Sequence, residues 1–121
     1  VSLGTWIALA LLGGAGAVAR FAVDWAVSLR LGFSFPYGTL AVNLSGSFLL
    51  GLLVGGAVEG DARVLTGTAF LGAYTTFSTW MLETQELAQR GSARGAVVNV
   101  VLSTAAGLAA VAIGHALGAR L

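Results

Sequence analysis

The sequence predicts an all-α membrane protein of four transmembrane helices, the third broken at the membrane midplane, forming a single domain over residues 1–121. Three observations carry this. Hydrophobic residues make up 57% of the chain and charged residues 9%, against about 25% charged in an ordinary soluble domain. Apolar stretches of spanning length recur between short charged or Pro-containing turns, and about 20 apolar residues cross a bilayer core. Inside the third stretch, Gly72-Ala73-Tyr74-Thr75-Thr76-Phe77-Ser78-Thr79-Trp80 sets four hydroxyl residues around one Phe. The net charge of +1 and the lack of any basic cluster argue against nucleic acid as a partner. With no Cys, disulfides and thiolate metal sites are excluded.

The first span is expected over residues 3–29, without the basic n-region and cleavage site of a signal peptide. Gly13-Gly14-Ala15-Gly16-Ala17 allows another backbone to approach closely. Arg20 and Asp24, four apart, share a helix face, so a local ion pair is one reading. The alternatives for Arg20 are a snorkelling interface residue or a cation at a wet mouth, where it attracts anions.

The second span is expected over residues 37–58, where Thr39, Asn43, Ser47, Gly51 and Gly55 step by four along one stripe. The small residues suit helix packing, but an amide in hydrocarbon needs partners, either structural or functional.

The third span, residues 63–89, holds the hydroxyl-rich stretch. Thr75 lies about twelve residues beyond Arg63, roughly 18 Å at helical rise and near the middle of a core about 30 Å thick. Hydroxyl side chains beside Gly disfavour a regular helix, and irregular backbone at that depth must be buried in protein or line a wet cavity. The fourth span, residues 94–117, carries a second stripe, Gly95, Asn99, Ser103 and Gly107. His115, the only His, reads as an interfacial residue, since one His makes no metal site alone.

With four spans, Arg63 and Arg120 fall on one side and Arg30, Arg90 and Arg94 on the other. Orientation follows the Lys/Arg excess of short loops. An excess of one charge permits insertion both ways up, and so an antiparallel pair in which two midplane breaks meet.

Three motifs in order, Gly16-Ala17-Val18-Ala19-Arg20-Phe21, Gly38-Thr39-Leu40-Ala41-Val42-Asn43-Leu44-Ser45-Gly46-Ser47-Phe48 and the 72–80 stretch, resemble the Fluc (CrcB) fluoride channels over nearly the whole chain. The resemblance implies a dual-topology antiparallel homodimer in the cell membrane that lets fluoride leave the cytoplasm passively through two pores. It implies no enzymatic activity. It also implies a structural, untransported Na⁺ held by backbone carbonyls, which fall here on Gly72 and Thr75. The family's pore phenylalanines fall on Phe77 and Trp80, its pore Asn on Asn43, its fourth-span hydroxyl on Ser103 and its vestibule arginine on Arg20. Thr76 and Thr79 supply further donors for a small, strongly hydrated anion. The implied partners are fluoride, the lipid bilayer, and a second antiparallel copy or a divergent partner subunit.

The chain departs from the family pattern at four places. Trp80 and Tyr74 stand where Phe is usual, Ala73 replaces the second Gly of a pair, and Asn99 stands where Tyr is common. Trp80 either narrows the pore or offers its indole N–H to the anion. Such departures leave open a subunit of an obligate heterodimer. Small multidrug exporters share this architecture but need a carboxylate deep in the first span, and Asp24 lies near that span's end. A purely structural subunit leaves the Thr-rich break and Asn43 without a reason.

Overall fold

In a computed structural model, which describes residues 2–121, all the regular structure is helical, with no strand among the described residues. Helix α1 (Leu3–Leu31) starts at Ser2, whose Oγ accepts the Thr5 N–H at 3.1 Å, and stops at Gly32, where φ is +89°. Helix α2 (Tyr37–Gly55) follows Pro36 and ends before Ala57, which turns the chain with φ +56°. Next come a short helix α3 (Gly60–Arg63), a π-helical stretch (Val64–Leu71) and a single turn α4 (Gly72–Tyr74). Helix resumes as α5 (Ser78–Gln89), and α6 (Ala93–Gly118) is capped by Ser92, whose Oγ accepts the Gly95 N–H. Helices α1, α2 and α6 are long and apolar enough to cross a membrane. Mean hydropathy is +0.90, and large apolar side chains such as Trp6, Leu11, Phe21 and Val101 face outward. Such an exterior suits lipid, not water. The chain is a multi-pass membrane protein.

Glycines bring the helices to backbone distance. Cβ atoms placed on Gly51 and Gly55 of α2 would overlap the carbonyl oxygens of Val111 and His115. Those placed on Gly114 and Gly118 of α6 would overlap the carbonyls of Phe48 and Leu52. The numbering climbs together on both sides, so α2 and α6 run parallel, each offering small residues four apart to the other. Gly16 likewise seats α1 against the Phe70 carbonyl of the π-helical stretch. The small core between these pairs is Val42, Leu71 and Tyr74.

The interruption at residues 75–77 lies in the middle of this packing. Thr75 is extended (φ −77°, ψ 158°), so the helix cannot pass through it. The segment 60–89 is therefore two helical pieces joined by a non-helical corner.

Arg20 and Asp24 do not form the ion pair that their spacing allows. Asp24 Oδ1 instead accepts the Ser28 hydroxyl at 3.2 Å, and the only salt bridge among the described residues is the exposed Arg90–Glu86 pair at 4.0 Å. Ser28, one turn further along α1, reaches the carboxylate and stabilises it without a cation. The guanidinium stays available.

Candidate functional site

The corner at residues 75–77 is held by Asn43 of α2. Its Nδ2–H donates to the Thr76 carbonyl at 2.9 Å, and the Thr76 N–H donates to its Oδ1 at 2.9 Å. One side chain thus does for Thr76 what neighbouring peptides do in a regular helix, pairing both its backbone groups. The bond diverts the Thr76 N–H from the Gly72 carbonyl, its partner in a continuous α-helix. No protein donor among the described residues meets the carbonyls of Gly72 or Thr75.

Side-chain hydroxyls complete the corner. Thr75 Oγ1 donates to the Leu71 carbonyl at 3.0 Å, closing off the end of α4. Thr76 Oγ1 accepts the Thr79 N–H at 3.2 Å at the start of α5, which leaves its own O–H proton free and polarised towards donation. Buried Tyr74 stacks with Phe70 at 6.1 Å and shares a hydrogen bond of 2.9 Å with Ser45 across to α2. Tyr74→Phe keeps the stack and removes this one bond. It is expected to lower stability by about 0.6–1.5 kcal/mol, read as a reduced thermal midpoint in detergent; an unchanged midpoint would mean the bond contributes nothing net.

Two cavities flank the corner. An open groove of about 460 Å³ is lined by Asn43, Ser47, Gly72, Thr75, Thr76, Phe77, Trp80 and Ser103. A second cavity of about 230 Å³ is lined by Arg20, Asp24, Thr39, Thr76 and Thr79. Thr76 borders both, so the clamped corner separates them. Of the residues singled out from the sequence, the structure gathers Asn43, Gly72, Thr75, Thr76, Phe77, Trp80 and Ser103 round the groove. It sets Arg20 and Thr79 in the second cavity.

Phe77 and Trp80 meet edge to face, with centroids 5.7 Å apart at 86°, and Phe77 is 69% exposed at the open side. The Trp80 indole N–H does not point into the groove as a free donor: it donates to the Asn99 carbonyl of α6 at 3.3 Å. Thr84, which nothing in the sequence marks out, donates to the Trp80 carbonyl at 2.7 Å and accepts from Asn99 Nδ2 at 2.8 Å.

A multi-pass helical protein whose interrupted segment lines a groove with hydroxyls, an amide and aromatic edges is built like a small-ion channel. Nothing in the groove resembles a nucleophile with its base. A model of the family described as CrcB-like protein, Camphor Resistance (CrcB), matches residues 7–115. A protein of Mycolicibacterium paratuberculosis named fluoride-specific ion channel FluC 2 is 53% identical over 96% of this chain and 95% of its own. A FluC 2 of Mycobacterium bovis is 52% identical over 95% of this chain and 91% of its own. A FluC 1 of Symbiobacterium thermophilum is 48% identical, covering 94% of this chain and 97% of its own. The chain belongs to the CrcB family, whose curated relatives are channels and not enzymes.

Proposed function

We propose that the chain is a passive fluoride-selective channel that lets fluoride leave the cytoplasm across the bacterial plasma membrane. The observation that carries this reading is the Asn43–Thr76 clamp, which holds a corner with free donors on a groove wall. In this reading residues 60–89 form a third span, broken at 75–77 near the midplane, between α2 and α6. Fluoride is small and strongly hydrated, so a dry path must replace its water. The Thr76 O–H, the second Nδ2 hydrogen of Asn43 and the Ser103 hydroxyl supply donors, with Thr79 and Arg20 at the second cavity. The electropositive edge of Phe77 adds a weak contact that an ion can leave.

The groove is open on one side, where Phe77 is exposed, and a second antiparallel copy would close it. The two-fold axis would then give two pores. The same axis would bring together two sets of Gly72 and Thr75 carbonyls, each without a protein donor among the described residues. Backbone oxygens are the ligands a hard monovalent cation takes, and no cluster of three His, Cys, Asp or Glu exists among the described residues to hold one otherwise. These carbonyls fit a structural Na⁺. When bound, the ion would neutralise their partial charges and join the two corners.

The test is fluoride efflux from liposomes holding this chain alone, followed by an electrode, with chloride as control. Fluoride efflux without chloride efflux is the expected result. Folded protein that passes no fluoride would sink the homomeric reading and favour a divergent partner subunit, a reading that the numerals 1 and 2 in the relatives' names keep open. Exchanging Na⁺ for N-methylglucamine on both sides is expected to cut efflux and loosen the dimer. Unchanged flux and dimer stability in Na⁺-free buffer would remove the cation from the scheme.

A further inference from the structure

We infer that Asn99 is a positioning residue for the groove wall, acting through Trp80 and Ser103 although it does not line the groove itself. Asn99 is 1% exposed, among the most buried polar side chains of the chain. Its backbone carbonyl accepts the Trp80 indole N–H, its side-chain Nδ2 donates to Thr84 Oγ1, and Thr84 Oγ1 donates on to the Trp80 backbone carbonyl. These bonds close a ring that grips Trp80 at both its backbone and its indole.

The grip matters because the break at residues 75–77 cuts α5 off from α4, so no continuous backbone ladder fixes how α5 stands. Asn43 fixes its beginning at Thr76. Asn99 fixes it one turn into the helix and beyond, against α6. With the N–H turned to a carbonyl, Trp80 offers the groove ring carbon and takes its edge-to-face place beside Phe77. The Asn99 side chain also holds Ser103: its Oδ1 accepts the Ser103 hydroxyl at 3.4 Å, long enough to be a weak bond. An anion in the groove therefore draws the Ser103 proton from a poor acceptor at little cost. Of the contacts to Trp80, the indole bond uses the Asn99 backbone, and only the link through Thr84 depends on the Asn99 side chain.

The functional half of this inference rests on the fluoride-channel reading; the spectroscopic half does not. Trp80 becomes the only Trp when Trp6 and Trp25, both facing outward on α1, are replaced by Phe. In that background the hydrogen-bond-sensitive indole Raman band of Trp80 reports its N–H. Asn99→Leu and the isosteric Thr84→Val both keep the Asn99 backbone carbonyl that accepts the indole N–H, and cut the side-chain link that holds α5 against it. A shift of that band towards a free N–H, expected in both variants, therefore reports α5 moving off α6. Both are expected to reduce fluoride efflux about fivefold or more, the factor that goes with one net hydrogen bond. The double variant should be no worse than the worse single one, because both break the same ring. If Asn99→Leu fails to fold, Thr84→Val decides alone, since it keeps side-chain volume. An unshifted band in folded protein shows that the indole bond stands without the Asn99 side chain and overturns its positioning role, even if efflux falls. Additive losses in the double variant overturn the ring. Should the unsubstituted protein pass no fluoride, the channel reading fails, while the Raman comparison still decides the grip.

Discussion

Asn43→Leu is expected to abolish fluoride efflux while most of the helical fold persists. The substitution removes the partner of both the Thr76 N–H and its carbonyl, each now paired at 2.9 Å, and a Leu side chain offers neither a donor nor an acceptor in its place. Two unsatisfied groups at about 1–3 kcal/mol each set an upper cost near 6 kcal/mol. Interhelical bonds in membranes average only about 0.6 kcal/mol, because a loosened chain finds other partners. For the corner, finding another partner is itself the damage. The Thr76 N–H can return to the Gly72 carbonyl and rebuild a helix, which turns the Thr76 hydroxyl and Phe77 away from the groove. A loss of about 3 kcal/mol in the conducting arrangement means at least about 100-fold less flux. Thr76→Val is the contrasting variant, since it removes a donor and leaves the backbone clamp intact. It should lose flux with a smaller fall in the thermal midpoint. If Asn43→Leu keeps both flux and midpoint, the clamp is not what holds the corner.

How far this site was legible in the sequence depends on the distance over which each feature is decided. That residues 72–80 disfavour a regular helix was legible, because four hydroxyls beside Gly72 in an apolar segment contradict one locally. That Asn43 needs partners was legible for the same local reason. Its partner was not: Thr76 lies 33 residues away, and a backbone acceptor leaves no mark in a sequence. The π-helical stretch at Val64–Leu71 was equally silent, since VLTGTAFL carries no residue that demands a wider turn. Arg20 and Asp24 show the converse: their spacing permits an ion pair, yet Ser28, at the same i,i+4 distance, takes the carboxylate instead. Trp80 read from the sequence as a possible anion donor, and only the register of α5 on α6 reveals that its N–H is spent on Asn99.

The same one-carbon substitution is expected to have two different outcomes at Gly46 and Gly114, because of what each new methyl meets. At Gly114 the obstacle is backbone: the Phe48 carbonyl, with Leu52 N only 3.2 Å away. Neither can rotate aside, so α2 and α6 must separate, and the close approaches at Gly51, Gly55 and Gly118 open with them. Overpacking commonly costs about 1–3 kcal/mol, and a seam of four glycines, two on each helix, offers no local relief. Gly114→Ala is therefore expected to give little folded protein, seen as loss of the monodisperse species on size exclusion. At Gly46 the first obstacle is the Thr75 methyl, with the Tyr74 ring 3.3 Å away. A side chain can yield, but Thr75 is held by its bond to the Leu71 carbonyl, so it yields only by moving the corner. Gly46→Ala should consequently fold, with a stability loss of no more than about 1–3 kcal/mol, and conduct fluoride poorly. Full conduction by Gly46→Ala would show that the corner tolerates displacement, and normal folding by Gly114→Ala would show that the α2–α6 seam is not set by backbone contact. Folding and conduction separate at these two glycines because one faces a carbonyl in a helix and the other faces the only part of the third segment that is not helix.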